Sequence, residues 1–123
     1  MPTVVHIDIA ADQPERAKNF YEELFDWKFE AIPGEMEYYL FESKDIDGNA
    51  GVGGGLGKRM ESEQRMTNFM GVDSVDEYML KVESLGGKII QGKTSVPSWG
   101  YMAVCLDTEN NVFGLWQEDK DAK

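Results

Sequence analysis

The hydrophobic period of this chain changes twice in the same order, and that constrains its fold more than any other feature. Across residues 3–9, Val5, Ile7 and Ile9 alternate with Val4, His6 and Asp8, the pattern of a strand with one apolar and one partly polar face. The period then lengthens. Ala17, Phe20, Tyr21, Leu24 and Phe25 recur at helical spacing. Asp12 is the expected N-cap of that helix, with Pro14 in its first turn, Glu15 completing a capping box and Asp26 as its stop. Strands are expected over 27–32, 37–42 and 51–57, with Pro33-Gly34 as a turn between the first two. In the second of these, Tyr39 and Phe41 face one way and Tyr38, Leu40 and Glu42 the other.

The order then restarts. After a polar connection over 58–65, a strand is expected over 67–73, followed by a helix capped by Ser74 with Glu77. Val75, Tyr78, Met79, Val82 and Leu85 form its apolar stripe, and Gly86-Gly87 ends it. Strands over 88–91, 100–106 and 111–117 follow, the last two joined by a turn at Asn110-Asn111. The expected N-caps lie 62 positions apart in a chain of 123 residues. This is a repeat of structure rather than of residues. It predicts an α+β fold: one domain over 1–123, built from two βαβββ modules at about 1–62 and 63–118. Two such modules side by side would form a curved mixed sheet with the helices outside. The polar residues after 117 carry no pattern and are expected to be disordered.

Charge and cysteine content narrow the partners. The formal net charge of −11 repels phosphate backbones and anionic membranes, so neither nucleic acid nor a membrane is expected as a partner. The single cysteine, Cys105, precludes an intrachain disulfide and reads as an inert buried thiol. No basic segment followed by an apolar stretch opens the chain, and no apolar run approaches membrane-spanning length. A cytoplasmic location is expected.

The repeat, with His6 between Val5 and Ile7, the run from Glu15 to Tyr21, Leu24-Phe25-Asp26-Trp27 and the tail from Asp107 to Gln117, resembles the glyoxalase/bleomycin-resistance/dioxygenase superfamily, also called vicinal-oxygen-chelate proteins. The resemblance covers nearly the whole chain. It implies paired modules around a concave cavity and, in metal-using members, four ligands from four strands. Carried onto this sequence, the first ligand position is His6. The fifth-strand position falls at Thr67 or Asn68, the last-strand position at Gly114, and the remaining one within Gly51–Gly57. One of the four is kept, and His6 is the only histidine. No cofactor is therefore expected, with a divalent metal held through His6 as the alternative. The resemblance also implies a homodimer.

His6 has three open readings: a hydrogen-bonding wall residue, a general base near neutral pH, or a surviving metal ligand. Asp8 shares its face and could orient it. Glu42, with Glu37 beside it, could supply a substitute carboxylate or stand as a solvated rim. Phe69, Trp99, Tyr101 and Trp116 could wall a site for a flat or apolar molecule, or pack as core. Arg59 could meet an anionic group or lie solvated. The glycine run lacks the lysine–hydroxyl ending of a phosphate loop, since Lys58-Arg59 follow Gly57. It reads instead as a strand whose backbone approaches a ligand or the partner module closely. Small-molecule binding without the standard metal site is the expected function. The alternative is a lyase or isomerase using His6 as base or as part of a non-standard metal site, and a domain acting only through protein contacts is the third reading.

Overall fold

The computed structural model describes residues 2–123. Among these, eight strands and two helices follow the expected order: β1 (Val4–Ala11), α1 (Pro14–Phe25), β2 (Lys28–Ala31), β3 (Tyr38–Glu42), β4 (Gly53–Lys58), β5 (Thr67–Gly71), α2 (Val75–Ser84), β6 (Lys88–Val96), β7 (Gly100–Leu106) and β8 (Val112–Glu118). The fold is α+β with mixed pairing. The chain forms two compact units that divide between Met66 and Thr67, with residues 2–4 grouped with the second. The Thr3 carbonyl accepts from the Gly71 amide at 2.9 Å, which ties that short lead to the second unit.

In the first module the strand order is β2-β3-β4-β1. β3 is antiparallel to both β2 and β4, and β1 runs parallel to β4. The alternation predicted for β1 is realised from Ile7 onward, whereas Val5 is exposed. Ile9 and Ala11 are buried with Phe41 and Leu56, and Ile7, Ala17, Tyr21, Trp27, Phe29 and Tyr39 pack around them. Trp27 stacks on Phe41 at 4.7 Å between ring centroids and on Tyr21 at 5.3 Å, so one aromatic column joins helix to sheet. Full burial of Leu56 contributes about 1.5–3 kcal/mol.

The start of α1 differs from expectation. Its N-cap is Gln13, without a side-chain cap bond, and Pro14 opens the first turn. Asp12 is drawn away: its carboxylate accepts from Arg59 Nε at 2.9 Å and its carbonyl from Lys58 Nζ at 2.9 Å. Its apolar stripe is also wider than the surface the sheet offers. Ala17 and Tyr21 reach the core, whereas Phe20, Leu24 and Phe25 remain more than half exposed. Asp26 ends the helix as predicted, in the left-handed conformation, with its amide bonded to the Glu22 carbonyl.

The second module has the order β5-β8-β7-β6, with β5 parallel to β8 and the other pairs antiparallel. Val75, Ala103, Cys105 and Leu115 form its core, lined by Tyr78, Met79, Val82, Ile89 and Phe113. Ser74 caps α2 as expected, accepting from the Glu77 amide at 3.1 Å. Leu85 falls at the C-cap and is exposed, so the stripe ends one turn earlier than predicted. The tail is ordered, contrary to expectation. Ala122 is buried, its carbonyl accepts from the Ser98 amide, and Asp119 donates to the Trp99 carbonyl. Backbone groups of the β6–β7 turn hold the tail, a contact that side-chain pattern does not encode. No helix among the described residues is long and apolar enough to cross a membrane.

Candidate functional site

β1 sends Ile7, Ile9 and Ala11 toward α1, so His6 and Asp8 occupy the opposite face. On β3, Tyr39 and Phe41 join the core, which leaves Tyr38, Leu40 and Glu42 on the His6 face. Between these strands lies β4, whose residues on that face are Gly53, Gly55 and Gly57. The register sets Asp8 and Leu40 opposite Gly55, and Tyr38 opposite Gly57. The Tyr38 ring crosses the two glycines diagonally, and its hydroxyl donates to Asp8 Oδ1 at 2.7 Å. A Cβ at Gly55 would stand 1.6 Å from that hydroxyl, and one at Gly57 2.8 Å from the ring edge. The glycine strand thus approaches a tyrosine of its own module, and Gly54 lies against the Ile7 backbone. This neighbour within the module is one that the expectation of a ligand or the partner module did not include.

His6 Nε2 lies 3.5 Å from the same Asp8 Oδ1, with both side chains about one third exposed. That is the outer limit of a hydrogen bond and still within reach of charge attraction. Tyr38, Asp8 and His6 thus form one string running from β3 to β1. Burial first, then the charge and hydrogen bond of Asp8, hold the Tyr38 hydroxyl far above its usual range, so it remains a neutral proton donor. Sequence reasoning missed Tyr38. The available signal was glycine at 55 and 57, two apart on one face of a strand, which leaves a track for a ring.

In the second module, Phe69 and Gly114 face each other across β5 and β8. The Phe69 ring lies over Gly114, where an added Cβ would meet it at 2.2 Å. Phe113 and Leu115 point into the helix-side core, so Trp116 shares the Phe69 face, with its ring edge 2.9 Å from where a Gly100 Cβ would stand. Tyr101 packs on the helix side with Ala103 and Cys105, under Lys93 Nζ at 4.5 Å, and Lys93 pairs with Asp76 of α2 at 2.8 Å. It does not share a face with Phe69 and Trp116. Trp99 sits in the β6–β7 turn, more than half exposed. Glu42 ends β3, exposed and opposite Lys28. Arg59 is engaged by Asp12 and by the Gln64 carbonyl, which folds the linker back on the first module. Burial raises the Cys105 thiol.

The residues present do not fit the metal site that the resemblance implies. His6 is the one ligand-type side chain at the four positions. No group of three or more His, Cys, Asp or Glu side chains that could hold a metal ion occurs among the described residues. Two of the other three positions, Gly114 and the glycine run, are filled rather than merely empty. The Phe69 ring covers Gly114, the Tyr38 ring covers Gly55 and Gly57, and a Cβ at Gly53 would strike the Phe41 carbonyl oxygen at 2.6 Å.

The profile of the Glyoxalase/Bleomycin resistance protein/Dioxygenase superfamily matches residues 3–115. The chain belongs to this superfamily. Curated relatives include the CFP32 proteins of Mycobacterium bovis and Mycobacterium tuberculosis, which carry a provisional glyoxylase designation and are 25% identical over 117 residues. The match covers 93% of this chain and 45% of theirs, so the chain spans about half the length of those relatives. Among solved structures, a methylmalonyl-CoA epimerase bound to methylmalonyl-CoA and ammonium superposes with a TM-score of 0.73 at 12% identity, covering 100% of this chain and 99% of that one. A superfamily member from Vibrio splendidus 12B01 gives 0.68 at 10% identity, covering 97% and 100%. At these identities the likeness is one of fold. It extends to the superfamily architecture and leaves the ligand to the residues of each member.

Proposed function

We propose that this superfamily member binds a small organic molecule on the helix-distal face of its first module, without the four-ligand metal site. His6 and Asp8 are the groups that touch the molecule, and Glu42 stands at the edge of the same face. Trp116, partly exposed beside the buried Phe69 ring, gives the second module an aromatic edge for a flat or apolar group. The observation that carries this reading is the covering of the glycine positions by Tyr38 and Phe69: the surface is built from rings and hydrogen-bonding groups where metal ligands would start. The homodimer implied by the family is part of the proposal. Phe20, Leu24 and Phe25 of α1 supply exposed apolar surface compatible with a partner copy. A cytoplasmic setting is proposed with it.

The test is a thermal-shift screen of neutral, cationic and anionic fragments against the wild type and His6→Ala. The reading expects compounds that raise the wild-type melting temperature and lose that effect in the variant. Hits with equal effect on both proteins would contradict it.

A second reading, acid–base catalysis of lyase or isomerase type, is favoured by the proximity of Asp8 to His6. A carboxylate beside an imidazole stabilises the protonated ring that a general base becomes. Solvent deuterium incorporation into a screened binder, absent with His6→Ala, would separate a catalyst from a binding protein.

A further inference from the structure

We propose that Tyr38 is a positioning residue for this face: its hydroxyl fixes the Asp8 carboxylate, and the carboxylate in turn holds the His6 ring in one orientation and tautomer. The inference deepens the proposed function, because it rests on His6 as the group that meets the ligand.

An aspartate on a half-exposed strand face would ordinarily sample several rotamers. Here a hydroxyl 2.7 Å from Oδ1 restrains it, donated from a ring packed along the backbone of β4. The restraint spans three strands, since Tyr38 lies opposite Gly57 while Asp8 lies opposite Gly55. Any side chain at Gly55 would displace the hydroxyl, so the glycine pair and the tyrosine work as one device. The same Oδ1 faces His6 Nε2 at 3.5 Å, longer than a well-formed hydrogen bond, and the nearby carboxylate biases the ring toward carrying its proton on that nitrogen. A carboxylate that could rotate freely would hold neither nitrogen for long. With the tautomer fixed, each ring nitrogen has one defined hydrogen-bonding character.

His6 is the only histidine, so its ring nitrogens give a single set of signals in a long-range proton–nitrogen correlation spectrum of the ligand-free protein. The tautomer ratio is read at a pH high enough that the ring nitrogen shifts no longer change. The wild type is expected to favour the Nε2-protonated form by about tenfold, the effect of a fixed carboxylate beside that nitrogen. Tyr38→Phe keeps the ring and removes only the hydroxyl. It is expected to bring the two tautomers within about threefold of each other, with the amide spectrum otherwise preserved. Tyr39→Phe is the control. It removes a hydroxyl bound to Glu37 on the opposite face and is expected to leave the His6 signals unchanged. Should Tyr38→Phe not fold, Asp8→Ala, which removes the carboxylate that Tyr38 holds, replaces it and is expected to narrow the tautomer ratio in the same way. An unchanged tautomer ratio in the folded variant would overturn the proposal. Since no ligand is present in this experiment, its outcome is independent of whether the fragment screen finds a binder.

Discussion

The two modules share a topology and differ in what lies over one strand. In each, a parallel pair brings a side chain on the first strand opposite a glycine: Asp8 opposite Gly55, and Phe69 opposite Gly114. In the second module Phe69 itself covers the glycine, and the face is closed by an apolar ring. In the first module the residue opposite is a carboxylate, and the cover comes from Tyr38, two strands away. A tyrosine brings a hydroxyl with its ring, so the covered face keeps a polar string that the second module lacks. The difference teaches that glycine in these strands makes room for an aromatic ring, and that the strand supplying the ring decides whether the face is polar or apolar.

The comparison can be broken at its glycines. The largest effect is expected at Gly54, where an added Cβ would stand 1.8 Å from the Ile7 carbonyl oxygen and only backbone could move. Gly54→Ala should cost about 3 kcal/mol in denaturant unfolding. A near-neutral result would mean that β1 and β4 are not packed this closely. Next is Phe69→Ala, expected to cost about 3 kcal/mol for loss of a buried ring. In that background Gly114→Ala should be much milder than alone, and equal costs in both backgrounds would contradict ring-over-glycine packing.

Gly55→Ala should cost less, about 1–2 kcal/mol, because the atom it strikes is the far end of a side chain. Its penalty should vanish with Tyr38→Ala present, read as a double-mutant cycle. Tyr38 also gives the modules different alkaline behaviour. Its folded-state titration is raised, so it favours the folded protein below about pH 10, the ordinary tyrosine value, and that contribution is lost as the pH climbs further. Tyr38→Phe should flatten the alkaline fall in melting temperature, and an unaltered fall would rule out this source. The smallest effect belongs to the linker. Arg59→Ala removes a pair whose Asp12 partner is largely exposed, and should cost about 0.5 kcal/mol with the difference shrinking in salt.

Much of this architecture was legible in the sequence because it follows from period and local chemistry. The alternation from His6 onward, the opposed faces of β3, the Ser74 cap, the Asp26 stop and the left-handed Asn110 all depend on neighbours a few residues away. What could not be read depends on distant partners. Asp12 has the composition of an N-cap, yet Arg59, 47 residues on, takes its carboxylate. The Tyr38–Asp8 bond joins residues 30 apart and exists only in the register of three strands. Tyr101 was grouped with Phe69 and Trp116 because all are aromatic strand residues, and the registers of β7 and β8 place it on the helix side instead.

The central claim is that rings have replaced metal ligands, and the metal content of tag-free protein tests it most directly. After incubation with zinc, nickel and manganese salts and desalting, elemental analysis should find well under about one tenth of an equivalent of any of them, since one histidine does not make a site of three or four ligands. His6→Ala should give the same result. About one equivalent retained by the wild type and lost in the variant would contradict the account.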